Sequence, residues 1–218
     1  MNEIDIYSQP SYDSSTKLYH ITNNYNEDRM LKFKLREKPT DTPLLIHEVV
    51  NKLSIKKFKL PIRSLFFAYA KKMSNNAMRV IPLGDKVQYF YHPDIEDFTA
   101  WFYFDAMPMV DEAILDYVER YSLDVDISLL ETLLTDSIAA GHGLKETHDI
   151  LITKYSELLG SEHGTTLTKN ILAKMVGILT DYINDIVYTT DISDIPENTD
   201  SEVMIYTPND LYLMKSEQ

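Results

Sequence analysis

Three short stretches of the chain carry the side chains best suited to chemistry: KLYHIT at 17–22, RSLFFAYAKKMSNNAM at 63–78 and DSEVMIYTPNDLYLM at 200–214. They supply an imidazole at His20, a flat aromatic ring at Phe66 and a carboxylate at Glu202. An imidazole both donates and accepts hydrogen bonds, an aromatic ring stacks on planar groups, and a fixed carboxylate stabilises positive charge. Each stretch alone also fits an ordinary strand with a partly buried histidine, core aromatics or a solvated carboxylate.

The common catalytic and metal-binding motifs are absent from the sequence. No two of the six histidines have i, i+4 spacing, and there is no HExxH, P-loop, GxGxxG or GxSxG motif. The chain has no cysteine, which excludes disulfides, thiolate zinc sites and cysteine nucleophiles. We therefore predict no metal site. His92, in YFYHPDIEDF, is interpreted as structural because the proline that follows it favours a turn.

The charge of the chain is unevenly distributed. The net charge is −13, yet residues 29–86 hold 14 of the 21 Lys and Arg residues and only four acids, so this block is +10 and the remainder −23. The block is either a solvated basic face or a footprint for a phosphate-bearing ligand. The acidic remainder would repel a long polyanion, so long nucleic acid is an unfavourable partner. A small phosphate ligand fits the asymmetry better.

The pattern of apolar residues predicts an α+β protein. Strands are predicted at 17–22, 63–69, 79–82, 86–91, 202–206 and 210–214, with a short helical turn at 74–78. Helical spacing is found at 43–53, 110–121, 127–138, 144–159 and 167–186, and Ser128–Glu131 matches a capping box. A helical block between strands is interpreted as an insertion or a lid. No apolar run is long enough to span a membrane, and the N-terminus does not read as a secretory signal.

In this order, the three stretches resemble the ADP-ribosyltransferase-like superfamily. LYHIT looks like the first strand of its histidine–tyrosine–glutamate branch, SLFFAYAKKMSNNA like the middle strand and following helix, and SEVMIY like the final glutamate strand. TPLLIHEVVNKL and VIPLG…YFYHPDIEDF are similar to phage-encoded members. The resemblance implies one domain over 1–218. Its core would be a split, mixed β-sheet at 17–106 and 197–214, interrupted by a helical insertion at 107–190.

The resemblance implies NAD as substrate and assigns roles to particular residues. Glu202 and His20 would be catalytic, with the carboxylate stabilising the oxocarbenium-like ribose as nicotinamide departs. His20 would also hold a ribose hydroxyl, and Phe66 would stack on the nicotinamide ring. Further cofactor contacts would come from Thr22, Arg63, Ser64 and Tyr69, and Lys56, Lys57 and Lys59 would face the pyrophosphate.

The chain departs from the family pattern at three positions. Phe66 replaces the expected tyrosine, Ile21 replaces a glycine, and Asp200 stands where arginine-modifying members carry glutamate or glutamine. Ser64 after Arg63 would alternatively fit the arginine–serine–glutamate motif.

Two functions therefore stay open. One is an enzyme that transfers ADP-ribose to a host macromolecule, expected to be a protein, or hydrolyses NAD. The other is an inactive phage protein of the same fold that binds and inhibits a host or defence protein. A phage structural or packaging protein is a third, weaker option. The expected location is the cytoplasm, that of the host for a phage protein.

Overall fold

The segments with helical spacing in the sequence form helices. The computed structural model describes residues 9, 12–22, 27–34, 41–197 and 200–216. A π-helical turn at Phe102–Ala106 lies between two of these helices, and short 3-10 turns occur at Ile62–Ser64 and Ile192–Asp194. The helices within the described residues are α1 Leu44–Phe58, α2 Phe98–Trp101, α3 Met107–Tyr121, α4 Ile127–Ala139, α5 Leu144–Leu159 and α6 Ser161–Asp185.

Local sequence signals account for several helix ends. Helix α1 begins after Pro43, which lacks a backbone N–H, and ends at Lys59, whose left-handed conformation has a φ of 65°. The start of α4 differs from the prediction. Its N-cap is Asp126, whose side chain accepts a hydrogen bond from the Ser128 backbone N–H. The predicted capping box at Ser128–Glu131 was therefore wrong by two residues, because Asp126 rather than Ser128 provides the cap.

The α+β class is confirmed, and the strands of the described residues form a single sheet. The strands are β1 Leu18–Ile21, β2 Arg29–Lys32, β3 Phe66–Tyr69, β4 Ala77–Pro82, β5 Gln88–Tyr91, β6 Val187–Thr189, β7 Glu202–Tyr206 and β8 Leu211–Lys215. Their order across the sheet is β2-β8-β4-β1-β3-β7-β5-β6. Every strand pairing among the described residues is antiparallel. This sheet differs from the split, mixed arrangement that the resemblance implied.

Two of these strands were not predicted, and one predicted helical turn is shorter than expected. Strands β2 and β6 have only four and three residues, too few for an alternating pattern to stand out. They lie at the two edges of the sheet. The helical turn predicted at 74–78 is reduced to one hydrogen-bonded turn, in which the Ala77 backbone N–H donates to the Ser74 carbonyl oxygen at 3.1 Å. Ala77 and Met78 already belong to β4 and pair with Ile21 and His20.

The chain divides into two compact units. Unit 1 contains Met1–Arg36, Ile62–Phe98 and Asp185–Gln218, and unit 2 contains Glu37–Pro61 and Thr99–Asn184. The predicted insertion at 107–190 thus lies almost wholly in unit 2, which also takes in α1. The predicted core range 17–106 includes 23–26 and 35–40, which lie outside the described residues. No helix among the described residues combines the length and apolar character needed to cross a bilayer.

One face of the sheet carries the hydrophobic core of unit 1. Side chains of a strand alternate between faces, and directly paired residues of neighbouring strands share a face. Phe66 pairs with Ile205, and Ala68 pairs with Val203. These four side chains belong to a buried cluster that also includes Leu18, Met78, Val80, Tyr89, Tyr91, Tyr212 and Met214.

Candidate functional site

His20 and Phe66, two of the three principal candidates, lie in contact. Their ring centroids are 4.8 Å apart with an interplanar angle of 45°. The Nδ1 atom of His20 lies 2.8 Å from the backbone carbonyl oxygen of Phe67, to which it donates when protonated at that nitrogen. Strand pairing explains the contact, because β1 lies beside β3 in the sheet.

The Phe66 ring is enclosed by the protein itself. It stacks on Tyr212 with ring centroids 4.5 Å apart, and Phe33 packs against it edge to face at 5.5 Å. Only 2% of the Phe66 side-chain surface is exposed. The aromatic stacking predicted for this position thus exists, but its partner is Tyr212 rather than an open space that would admit a planar ligand.

Glu202, the third candidate, forms a buried ion pair. Its Oε2 accepts a hydrogen bond from Nη1 of Arg63 at 2.7 Å, and the two side chains are 12% and 3% exposed. The guanidinium carbon lies 4.5 Å from the Phe67 ring centroid and 4.4 Å from that of Phe98. A short charge-assisted hydrogen bond combined with two cation–π contacts is typical of a structural link. It holds the 3-10 turn before β3 to the start of β7.

Strand register places Glu202 on the opposite face of the sheet from His20 and Phe66. Tyr19 pairs with Tyr69, and Tyr69 pairs with Glu202, so these three residues form one row on one face. His20 follows Tyr19 directly and therefore points to the other face. Phe66 is three positions before Tyr69, an odd number, and also points to that other face. The structure does not bring the predicted trio around one cleft.

The remaining predicted cofactor contacts are engaged within unit 1. The Thr22 hydroxyl accepts a hydrogen bond from Nη2 of Arg29 at 2.8 Å. Ser64 is buried. Tyr69 is half-buried in the row with Glu202. Asp200 stands where arginine-modifying members of the family carry glutamate or glutamine. Nζ of Lys71 lies 2.9 Å from its Oδ1 and donates a hydrogen bond to its Oδ2 at 3.2 Å, and this hydrogen bond raises the pKa of Lys71.

The three lysines predicted to face a pyrophosphate belong to unit 2. Lys57 donates from Nζ to the backbone carbonyl oxygens of Ile183 and Asn184, each at 2.9 Å. These carbonyls end α6, where a positive charge is favourable. Lys59 donates to the carbonyl oxygen of Lys56 at 3.1 Å. Lys57 therefore caps a helix, a role that a cluster of positive charges in the sequence does not reveal.

Unit 2 contains a cavity that was not predicted from the sequence. This cavity of about 180 Å³ is lined by Tyr103, Met107, Pro108, Asp111, Thr135 and Ile138. The Oδ1 atom of Asp111 is buried and has no hydrogen-bond partner among the described residues. Burial, with a further contribution from the negative charge of Glu131, raises the pKa of Asp111. The sequence signal for this cavity is weak: Asp111 directly follows Val110, one of the apolar residues with helical spacing in α3.

The segment 105–136, which includes α3 and most of α4, presents a strongly acidic surface. Residues 105–136 contain nine acids and a single base, Arg120. Seven of the acids are exposed to solvent: Asp105, Glu112, Asp116, Glu119, Asp124, Asp126 and Asp136. In the described part of the chain, no three histidine, aspartate or glutamate side chains converge in a way that would hold a metal ion.

Comparisons with protein-family models, with curated proteins and with solved structures give no match to this chain. The resemblance to ADP-ribosyltransferases consequently rests on the stretches quoted from the sequence alone. The geometry of the residues within those stretches is therefore the main guide to function.

Proposed function

We propose that this protein is a non-catalytic binding module that recognises a protein partner with a basic surface. The observation that carries the proposal is the position of Glu202 in the sheet and its ion pair with Arg63. Its carboxylate is held by Arg63 on one face of the sheet, while His20 and Phe66 lie on the other. A single substrate would have to reach both faces to contact all three side chains.

The acidic surface of α3 and α4 supports a basic partner. Exposed charges of one sign steer an oppositely charged protein and raise its association rate. Apolar side chains stand among these acids, with exposed fractions of 79% for Phe104, 49% for Met109 and 49% for Tyr121. Aromatic residues and methionine are enriched at protein interfaces. Proteins that bind nucleic acid present such basic surfaces, and the family resemblance would make the partner a host or defence protein.

The second candidate is an NAD-dependent ADP-ribosyltransferase acting on a host protein. The observation that favours it is the contact of the His20 and Phe66 rings, the two side chains that the resemblance assigns to the ribose and the nicotinamide. This function requires a carboxylate other than Glu202 beside the ribose, or a rearrangement that releases Glu202 from Arg63.

Nicotinamide release from NAD by the purified chain separates the two functions. We expect no release, with or without a bacterial lysate as a source of acceptor protein, and no heat of NAD binding in calorimetry. Release that is abolished in both His20→Ala and Glu202→Gln would overturn the binding-module proposal. Circular dichroism of each variant shows that any loss of release does not come from unfolding.

A further inference from the structure

The cavity between α3, α4 and the π-helical turn has the size of a single side chain. Its volume is about 180 Å³, below the roughly 300 Å³ at which pockets for cofactors and drug-sized ligands begin. All six lining residues belong to unit 2: Tyr103, Met107, Pro108, Asp111, Thr135 and Ile138. An occupant of this size is one residue of a partner rather than a dinucleotide.

The chemistry of the cavity favours a positively charged occupant. The buried Oδ1 of Asp111 accepts no hydrogen bond from the described residues. The hydroxyl of Tyr155 lies close enough for Asp111 to influence its pKa, yet it donates to the carbonyl oxygen of Leu130. Within the described part of the chain, no lysine, arginine or histidine lines the cavity. A buried acceptor without a donor is costly, and a cationic donor from outside would satisfy it.

The π-helical turn presents aromatic rings at the same place. Within Phe102–Ala106, Phe102 is buried, whereas Tyr103 and Phe104 are 38% and 79% exposed. Single π-helical turns occur frequently at functional sites. Tyr103 lines the cavity that Asp111 also lines. A guanidinium group stacks on an aromatic face and donates to a carboxylate at the same time, which an ammonium does less well.

We propose that this cavity binds an arginine side chain of the partner protein, with Asp111 accepting the guanidinium hydrogen bonds and Tyr103 stacking on its plane. This inference rests on the proposed binding function and specifies the partner residue that is recognised. The seven exposed acids of residues 105–136 would attract a basic segment, and the cavity would select one arginine from it.

The test uses N-acetyl-arginine methylamide and its neutral isostere N-acetyl-citrulline methylamide. Each is titrated into the full chain and followed by amide chemical shifts in two-dimensional NMR. The salt concentration is 0.15 M, because a Debye length of about 8 Å then screens the distant surface acids. Asp111→Asn is compared with Glu112→Gln, which removes one negative charge from the neighbouring exposed position of the same helix.

We expect the arginine compound to shift amides around Asp111 and the citrulline compound to bind at least tenfold more weakly. Asp111→Asn should weaken arginine binding at least tenfold, and Glu112→Gln less than twofold. Equal binding of the two compounds, equal effects of the two variants, or no arginine binding would each overturn the proposal.

The thermal stability of Asp111→Asn serves as the folding control for this test. Folding raises the pKa of Asp111, so the ionised carboxylate destabilises the folded state at neutral pH. The neutral asparagine should therefore melt at the same temperature as the parent chain or higher. Loss of arginine binding in a variant of such stability assigns the role to the carboxylate. Nicotinamide release is measured separately, so the binding-module proposal and the arginine site fail by different results.

Discussion

Removal of one partner of the Arg63–Glu202 pair should destabilise unit 1 strongly. Arg63→Met leaves the Glu202 carboxylate without its 2.7 Å partner in a place where only 12% of its side chain is exposed. Breaking a buried ion pair in this way costs about 3–5 kcal/mol. The variant also loses the cation–π contacts to Phe67 and Phe98, worth about 0.5–2 kcal/mol each. Together these contributions amount to about 4–9 kcal/mol, so we expect a loss of at least about 4 kcal/mol in the free energy of unfolding.

A double-mutant cycle measures the pair itself. Glu202→Gln retains the shape and one oxygen acceptor, so it should cost less than Arg63→Met. The double variant should be more stable than the sum of the two single effects predicts, because neither charge is then left unpaired. Denaturant unfolding followed by circular dichroism gives each free energy of unfolding. The control is Lys71→Met, because the ion pair of Lys71 with Asp200 is half-exposed. This variant should change the free energy of unfolding little.

Two results would contradict the structural role of this pair. The first is a change within 0.5 kcal/mol, the usual range for surface substitutions, for both single variants. The second is strict additivity in the double variant. Either would mean that Glu202 does not depend on Arg63 for its place in unit 1, and the carboxylate would again be a candidate for direct contact with a ligand.

Three further predictions concern packing, capping and pH. An alanine Cβ at Gly164 would overlap with the backbone nitrogen of Ser156, so Gly164→Ala should cost about 1–3 kcal/mol or more. Gly177 is on the same helix, and no atom of the described residues outside that helix's own backbone lies within 4 Å of an added Cβ, so Gly177→Ala should stabilise by up to about 1 kcal/mol. Thermal melts of the two variants test this, and equal shifts would refute it. The Glu48 carboxylate accepts a hydrogen bond from the Leu144 backbone N–H at the start of α5, so Glu48→Ala should lower the free energy of unfolding by about 1 kcal/mol in urea titrations. An unchanged free energy of unfolding would show that this hydrogen bond does not stabilise the helix. Burial lowers the pKa of His92 below 6.5, so the unfolded chain takes up the proton first and stability should fall as the pH drops below 6.5. His92→Asn should flatten that part of the stability curve measured by denaturant titration, and an unchanged slope would assign the pH dependence to other groups.

The elements of the candidate site were predictable where local pattern decides them. The strand at 202–206 and the helix at 144–159 form with the predicted bounds, since alternation and helical spacing are properties of neighbouring residues. The N-cap of α4 was misassigned because Asp126 and Ser128 are both good capping residues and only backbone geometry chooses between them. The cavity at Asp111 was missed because it needs the side chains of α3 and α4 together.

The sequence by itself determined the α+β class, the amphipathic helices and the unequal charge of this chain, because each depends only on residue type and spacing. The tertiary structure alone decided which strands are neighbours and in what register. The alternation of side chains along a strand puts Glu202 and Val203 on opposite faces of the sheet. It does not relate Glu202 to His20, which belongs to another strand. Only the pairing of Tyr19 with Tyr69, and of Tyr69 with Glu202, puts His20 and Glu202 on different sides of the sheet. A shift of that register by one residue would reverse the outcome, and no local feature of either strand specifies it.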